Sequence, residues 1–155
     1  MIGQRIRTLL VEDDEIDAEA VIRAFQKQKI DTEVTIVPNG IEALNVMRSA
    51  DARTNLAWPY LILLDINMPC MNGLEFLGIL RQDNDLKRSI VFVLTTSNRD
   101  EDKLAAYNHN IAGYFVKSNV GQDYLPVTKF LEMYWQLVEF PPMSPIASSG
   151  FAEGI

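Results

Sequence analysis

Four short apolar runs, each followed at once by polar residues, constrain the fold of this chain more than any other feature of its sequence. The runs are RTLLVEDD, YLILLDINM, SIVFVLTTSN and AGYFVKSN, and the alternating segment TEVTIV adds a fifth. Continuous aliphatic and β-branched runs of this length are typical of strands buried on both faces, which occur in parallel sheets covered by helices. The sequence therefore predicts a sheet of five strands.

Helical patterns separate these strands and give the order βαβαβαβαβα. The first pattern places Ile16, Val21 and Phe25 on one helix face, and others open at Asn39 and Gly73. Short connections between alternating strands and helices require parallel strands joined by right-handed crossovers. We therefore predict a doubly wound α/β fold whose ligands bind beyond the carboxyl ends of the strands.

Composition limits the functions open to the chain. Its 155 residues suffice for one domain, and 48% hydrophobic with 23% charged residues is the balance of a soluble globular protein. A net charge of -7 leaves little with which to hold nucleic-acid phosphates. No apolar run approaches the roughly 18 residues that a membrane helix needs. We therefore expect neither a nucleic acid nor a membrane as partner.

The two ends of the chain predict its location and its domain boundary. The start, MIGQRIRTLL, lacks the long apolar run of a secretory signal, and the one cysteine, Cys70, has no partner for a disulfide. Both features predict a cytoplasmic protein. After Phe140 the chain is rich in Pro, Ser and Gly. We predict one domain over residues 1–140 and a flexible tail over residues 141–155.

Three carboxylates, Glu12, Asp13 and Asp14, directly follow the first strand. Their repulsion favours a bound cation, although taken alone they also fit a solvated acidic turn that caps the next helix. Asp65 favours the cation, because it ends a strand of apolar residues and a buried carboxylate needs a partner. Oxygen ligands of this kind suit Mg²⁺. The acidic residues therefore predict a magnesium site.

Two further polar residues end neighbouring strands. Lys117 closes the last strand and places a cation opposite the carboxylates, which suits a bound phosphate and equally a resting ion pair with Asp65. Thr95 ends the fourth strand, where its hydroxyl donates either to a phosphate oxygen or to a backbone carbonyl. Together with the carboxylates they indicate phosphate chemistry.

The strings VEDD, LLDINMPCMNG, VLTTSN and GYFVKS occur in this order and resemble the receiver domains of two-component response regulators over residues 5 to about 140. The resemblance implies the flavodoxin-like (CheY-like) sheet of order 2-1-3-4-5 with five helices. It also implies a phosphoryl group taken from a histidine kinase. By motif position it assigns a phosphoacceptor (Asp65), metal ligands (Glu12, Asp13, Asp65 and the backbone carbonyl of Asn67), a phosphate-binding lysine (Lys117), switch residues (Thr95 and Tyr114) and residues that tune dephosphorylation (Asn67 and Ser97).

The chain departs from the pattern of this family in two places. Most receivers follow the lysine with proline, whereas Ser118 follows Lys117 here, so we expect no cis peptide and a different surface for partners. The acidic run is also one residue longer than a pair. The metal pair is therefore either Glu12 and Asp13 or Asp13 and Asp14, and we prefer the first, with Asp14 as the cap of the helix.

Three other classes of protein share parts of this pattern. A haloacid-dehalogenase-like phosphatase needs a second aspartate two residues after the first as acid and base, and Asn67 stands there. A flavodoxin would place hydroxyl and glycine residues after the first strand, where VEDDE would repel phosphate. A pseudo-receiver scaffold would lack part of the charged set, which is filled here. We therefore expect a phosphoacceptor and not an enzyme.

The last predicted helix, DYLPVTKFLEMYWQLVEF, has more apolar residues than one face can bury. One interpretation is an extended helix that packs only on its own domain. We prefer a homodimer through a surface that includes Tyr134, Trp135 and Phe140. The ending Y-W-x-L-V-E-F-P-P and the string V-L-T-T-S look like those of stand-alone regulators paired with bacterial and cyanobacterial phytochromes. The resemblance thus implies a phytochrome-type sensor histidine kinase as partner.

Overall fold

Five strands form one parallel sheet at the centre of the structure, a computed structural model that describes residues 5–49 and 56–142. The strands are β1 (Ile6–Val11), β2 (Thr32–Val37), β3 (Leu61–Leu64), β4 (Ile90–Thr95) and β5 (Gly113–Val116). Their order across the sheet is β2-β1-β3-β4-β5, and every neighbouring pair is parallel. The predicted strand order and fold class are confirmed.

Five α-helices cover the two faces of this sheet. They are α1 (Glu15–Lys27), α2 (Gly40–Arg48), α3 (Gly73–Gln82), α4 (Asp100–Asn108) and α5 (Leu125–Leu137), and a 3₁₀ turn spans Lys117–Asn119. Buried residues of α2, α3 and α4 form one core cluster with the sheet, while those of α1 and α5 form a second cluster on the opposite face. Right-handed crossovers explain this division, because the chain moves toward one edge of the sheet through α1 and toward the other edge through α2, α3 and α4.

The central strand β3 shows why its apolar residues run without interruption. Ile62 and Leu64 point into the cluster of α2 and α3, whereas Leu61 and Leu63 point into the cluster of α1 and α5, and all four are at most 1% exposed. Successive side chains of a strand point to opposite faces, so a strand covered on both sides must be apolar at every position. The residue after it, Asp65, is the first to reach the edge of the sheet.

Side-chain caps fix where two of the helices near this edge begin. The Asp14 carboxylate accepts from the amides of Ile16 and Asp17 at the start of α1, which confirms the prediction that it caps this helix. Asn72 and Glu75 form a capping box at the start of α3. Such caps satisfy amides that have no partner within the helix. They therefore hold both helix starts beside the ends of β1 and β3.

The last helix ends earlier than predicted, at Leu137, and the chain then turns back on its own domain. The Phe140 ring lies 5.1 Å from that of Trp135 and 6.5 Å from that of Trp58, whose indole Nε1 donates to the Pro141 carbonyl at 3.1 Å. Trp135 is 1% exposed. Trp135 therefore belongs to the core, and its placement on a dimer surface is corrected.

Several other predictions concern loops and ends. Most of the predicted tail, residues 143–155, lies outside the described residues. The peptide between Lys117 and Ser118 is trans, as expected, and the cis peptide of the described residues is Trp58–Pro59. None of the helices in residues 5–49 and 56–142 combines the length and apolar character needed to cross a membrane.

Candidate functional site

The polar residues that end the strands lie together at the carboxyl edge of the sheet. Glu12 and Asp13 follow β1, Asp65 follows β3, Thr95 is the last residue of β4, and Lys117 follows β5. Parallel strands end on the same side of a sheet, so residues distant in sequence meet there. Residues from four strands thus form one site.

Pairing between β1 and β3 brings the carboxylates into contact distance. Val11 is the register partner of Leu64, and the Asp65 amide donates to the Val11 carbonyl at 3.0 Å. The next residues of the two strands are then neighbours. One carboxylate oxygen from each of Glu12, Asp13 and Asp65 lies within 4.8 Å of the others. Such a cluster of hard oxygen donors fits Mg²⁺.

The three carboxylates differ in the hydrogen bonds that they accept from the rest of the protein. Glu12 accepts from Lys117 Nζ at 2.8 Å through Oε1 and from the Asp14 amide at 3.2 Å through Oε2. The exposed Asp13 carboxylate hydrogen-bonds to none of the described residues. Asp65 Oδ1 accepts only a long bond of 3.4 Å, from the Asn67 amide. Asp13 and Asp65 are therefore the carboxylates most open to direct metal ligation.

Burial also sets Glu12 apart by its proton affinity. Burial raises the pKa of Glu12 to about 7, the hydrogen bond from Lys117 acts in the opposite direction, and the charge of Asp65 raises it further. A group that holds its proton near neutral pH is a weaker metal ligand, because the metal must displace that proton. This favours a site in which Glu12 contacts the metal less directly than Asp13 does.

Lys117 is the buried cation of the site, with a side chain that is 8% exposed. Its Nζ donates to Glu12 at 2.8 Å and to Asp17 at 2.7 Å, while Asp65 Oδ2 lies 3.8 Å away. Burial lowers the pKa of Lys117, but the hydrogen bonds to Asp17 and Glu12 and the charges of Asp65 and Glu12 together outweigh burial and raise the pKa above its usual value. Lys117 is therefore charged throughout the physiological range.

Gly73, the last residue of the motif D-x-N-M-P-x-M-N-G, allows α3 to begin directly behind Asp65. A Cβ at this position would clash with the Asp65 carbonyl oxygen and would lie 2.9 Å from the Ile66 Cα. Both contacts are with backbone, which cannot move aside as a flexible side chain can. The Gly73 amide donates to the Ile66 carbonyl at 2.9 Å. This glycine therefore serves close approach of two backbone segments.

Hydroxyl groups and backbone atoms form the opposite side of the site. Thr95 is fully buried, and its Oγ1 accepts from the Ser97 amide at 3.4 Å. Ser97 Oγ donates to Asp102 Oδ2 at 2.5 Å, and the Tyr114 hydroxyl donates to the Ser97 carbonyl at 3.0 Å. The ring of Tyr114, expected to turn inward on activation, is here partly buried against the core and bonded to the loop after β4.

The motifs of this site match a known family model over most of the chain. The response regulator receiver domain model matches residues 8–125. The chain belongs to the response-regulator receiver family. This match confirms the family that the four strings VEDD, LLDINMPCMNG, VLTTSN and GYFVKS indicated.

Relatives of this receiver include the response regulators Rcp1 and RcpA. It is 35% identical to the response regulator Rcp1 of Synechocystis sp. over 127 residues, which are 82% of this chain and 86% of Rcp1. The phosphorylated cyanobacterial phytochrome response regulator RcpA matches with 31% identity and a TM-score of 0.78, over 90% of this chain and 100% of that one. The Mn²⁺-bound form of Rcp1 matches with 34% identity and a TM-score of 0.75, over 88% and 99%.

Receiver domains bind Mg²⁺ at an acidic pocket, and Mg²⁺ is the cofactor of this receiver. Its acidic cluster of Glu12, Asp13 and Asp65 supplies the oxygen donors, and the related Rcp1 holds a divalent ion. A ligand role for the Asn67 carbonyl stays a prediction. Asn67 itself is exposed beside Asp65.

The sequence did not single out two carboxylates that hold residues of this receiver site. Asp17 on α1 binds Lys117, and Asp102 on α4 binds Ser97. Asp17 lies three residues after the cap Asp14, where an acid is expected for its effect on the helix start alone. The contact of Asp17 with Lys117 spans 100 residues and that of Asp102 with Ser97 spans five, and no sequence motif indicates either contact.

Proposed function

We propose that this receiver accepts a phosphoryl group from a histidine kinase onto Asp65 in a Mg²⁺-dependent reaction. The observation that carries the proposal is the placement of Asp65 between two sources of positive charge. The acidic cluster with Glu12 and Asp13 fits Mg²⁺, and Lys117 Nζ lies 3.8 Å from Asp65 Oδ2. Asp65 is 7% exposed, and it directly follows β3 at the carboxyl edge of the sheet.

The chemistry needs this combination of charges. A carboxylate is a poor nucleophile toward an anionic phosphoryl group unless cations offset both charges and hold the reacting groups in line. A Mg²⁺ held by Glu12, Asp13 and Asp65 would supply charge neutralisation for the phosphoryl group. Lys117 stays charged because Asp17 and Glu12 raise its pKa. The protein thus contributes position and electrostatics.

The message is proposed to leave the site as a change of protein contacts. An aspartyl phosphate adds charge and acceptor oxygens that attract the Thr95 hydroxyl and Lys117. Thr95 contacts the Ser97 amide, and the Ser97 carbonyl holds Tyr114, so a movement of Thr95 reaches the β5 side of the domain. We propose a phytochrome-type histidine kinase as donor, supported by the likeness to RcpA.

Phosphorylation with acetyl phosphate tests the assignment of Asp65. Wild type with Mg²⁺ should gain one phosphoryl group, seen by intact mass or with a phosphate-affinity gel, and a chelator should prevent it. Asp65→Asn should remove uptake. Asp100→Asn is the matched control, because Asp100 has a side chain that is 98% exposed at the start of α4. Uptake by Asp65→Asn at the wild-type rate would show that another residue is the acceptor.

Turnover of an external substrate is not part of the proposed function. Asn67 occupies the place of the acid and base in haloacid-dehalogenase-like phosphatases, and an amide cannot exchange a proton in that role. Self-dephosphorylation is the one hydrolysis that we expect. Steady release of phosphate from p-nitrophenyl phosphate by wild type, lost in Asp65→Asn, would contradict this.

We place this activity in the cytoplasm, with a protein as the binding partner. Cys70 is an exposed free thiol, which suits a reducing compartment. The net charge of -7 disfavours nucleic acid. A fluorescence-anisotropy titration with duplex DNA at low salt should show no binding, and binding that weakens steeply with salt would contradict this.

We also propose a homodimer through α5. Three of its apolar side chains are exposed, namely Phe130 (43%), Met133 (50%) and Leu137 (77%). Tyr134 and Phe140 contribute less to this surface, because their rings are partly buried and already pack on each other. A second copy of this face would cover the exposed side chains.

Light scattering on the full chain tests the dimer. Wild type should run as a dimer at tens of micromolar, and Leu137→Asp should shift it toward monomer. Ile16→Asp is the matched control, since Ile16 is 78% exposed on α1, outside the proposed interface. The variants Tyr134→Ala and Phe140→Asp disturb packing within the domain as well. A monomeric wild type would contradict the proposal.

A further inference from the structure

Asp17, on the first turn of α1, holds Lys117 more closely than the proposed phosphoacceptor does. Lys117 Nζ lies 2.7 Å from Asp17, 2.8 Å from Glu12 and 3.8 Å from Asp65. An ammonium has three N–H donors, and a distance of 3.8 Å is too long for a hydrogen bond. Two donors are therefore engaged at Glu12 and Asp17, away from the place where a phosphoryl group would arrive.

The other oxygen of Asp17 connects this contact to the start of α5. Tyr124, which is 5% exposed and precedes α5, donates its hydroxyl to Asp17 Oδ1 at 3.2 Å. The Gln28 amide at the end of α1 donates to the Leu125 carbonyl at 2.9 Å and to Thr128 Oγ1 at 2.8 Å. Two sets of polar contacts thus join α1 to the start of α5, and the one through Asp17 includes Lys117.

Burial decides which of the two contacts of Lys117 breaks more easily. The Asp17 side chain is 29% exposed, whereas that of Glu12 is 4% exposed. Water can solvate a carboxylate released near the surface, but a buried carboxylate that loses its cation is left without a partner. When a stronger partner for Lys117 appears, the contact with Asp17 is the one that breaks at lower free energy.

We propose that Asp17 is a positioning residue that competes with phosphorylated Asp65 for Lys117, and that its release reports phosphorylation to Tyr124 at the start of α5. The inference rests on the proposed function, in which Asp65 carries the phosphoryl group. That group brings up to about two negative charges and three acceptor oxygens. Lys117 then turns toward it, and Asp17 keeps Tyr124 as its remaining partner.

The first test measures phosphorylation by acetyl phosphate in three variants of the full chain. Asp17→Asn removes the competing charge and should speed uptake by about three- to tenfold, the effect of one partly exposed ionic hydrogen bond. Asp17→Glu retains the charge and should stay nearer to wild type. Glu15→Gln is the matched control. Glu15 is exposed in the same turn of α1, so this substitution removes one charge there and should leave the rate unchanged.

The second test observes the contact itself by NMR, with beryllium fluoride and Mg²⁺ as the phosphoryl mimic. In wild type the mimic should shift the Nζ signal of Lys117 and the ring signals of Tyr124, assigned with Tyr124→Phe. In Asp17→Asn the Lys117 signal should differ from wild type before the mimic is added, and the Tyr124 signals should respond less. A merely structural role of Asp17 would leave the response of Tyr124 intact.

The outcomes separate this inference from the function on which it rests. Uptake by wild type but not by Asp65→Asn, with Asp17→Asn faster than Glu15→Gln, supports both. Uptake by wild type with Asp17→Asn at the wild-type rate or slower, and an unchanged response of Tyr124, overturns the role of Asp17 alone. Absence of uptake by wild type overturns the proposed function, and the role of Asp17 with it.

Discussion

The two flanks of the site are held by different interactions. The α1 flank joins Lys117 to Glu12 and Asp17 through hydrogen bonds of 2.8 and 2.7 Å between charged groups. On the α4 flank, Thr95 accepts a bond of 3.4 Å from the Ser97 amide, and the Ser97 hydroxyl donates to the Asp102 carboxylate at 2.5 Å, so no cation takes part in these contacts. In the bonds of Lys117 both partners carry charge, and charge-assisted hydrogen bonds are stronger than neutral ones such as that of Thr95. The α1 flank should therefore dominate stability and charge neutralisation.

This difference indicates how each flank responds to a phosphoryl group. Charge acts over several ångströms, so the α1 flank is affected as soon as the negative charge arrives. A hydroxyl must reach contact distance before it gains a hydrogen bond. The α4 flank should therefore respond through geometry, by movement of Thr95 and of the loop that holds Tyr114. Variants that exchange or remove one type of interaction test this division.

The largest effect is expected when the α1 flank loses its cation. Lys117→Met should slow phosphorylation by about 100-fold or more, because a donor aimed at developing charge is lost. It should also lower the free energy of unfolding by about 2 kcal/mol, since Glu12 and Asp65 remain buried without it. Urea unfolding and acetyl phosphate uptake measure the two effects. The double variant with Glu12→Gln should recover part of the stability, and a strictly additive result would contradict the pairing.

Mg²⁺ affinity should depend on pH through the same flank. Burial raises the pKa of Glu12 to about 7, so the proton is retained below that pH and a metal must displace it. Affinity should rise by up to about tenfold per pH unit below this pKa and level off above it. Calorimetric titration of Mg²⁺ on both sides of this pH measures the effect. Glu12→Gln should flatten the profile, while Asp13→Asn should lower affinity more at every pH.

A smaller effect is expected from the neutral bond of Thr95 on the α4 flank. Thr95→Ala should lower the free energy of unfolding by about 1 kcal/mol, the usual value of one hydrogen bond. Uptake of phosphoryl groups should change far less than in Lys117→Met. The coupling to Tyr114, followed by its ring signals in NMR with beryllium fluoride, should be lost. Thr95→Ser keeps the hydroxyl and should retain the coupling, and equal behaviour of the two variants would argue against the switch.

The smallest effect concerns the lifetime of the phosphorylated state. Neither Asn67 nor Ser97 is a base, and Asp102 holds the Ser97 hydroxyl, so self-dephosphorylation should be intermediate to slow. Asn67→Ala and Ser97→Glu should each change the decay by about two- to fivefold, less than one kcal/mol of barrier. Decay after removal of the donor measures this. Ser97→Gln controls for size without charge, and unchanged decay in all three variants would exclude this path for water.

Much of the fold was predictable because its signals are local. An apolar run that ends in polar residues identifies a buried strand and its end without knowledge of its neighbours. The helix starting after Asp14 follows from its capping carboxylate in the same way. Ile16 shows where this reasoning fails. Its spacing assigned it to the core face of α1, yet it is 78% exposed, whereas Val21 and Phe25 of the same pattern are buried, so periodicity alone does not show which positions meet the core.

The amino-acid sequence alone determined the order of the strands, the family and the set of polar residues that meet at the edge of the sheet. Only the tertiary structure decided how they pair. Lys117 binds Asp17 in preference to Asp65, and Trp135 is covered by Phe140 instead of facing outward. The reason is physical: periodicity reports which side of an element is buried, whereas the choice among several carboxylates depends on differences of about one ångström that arise when helices pack.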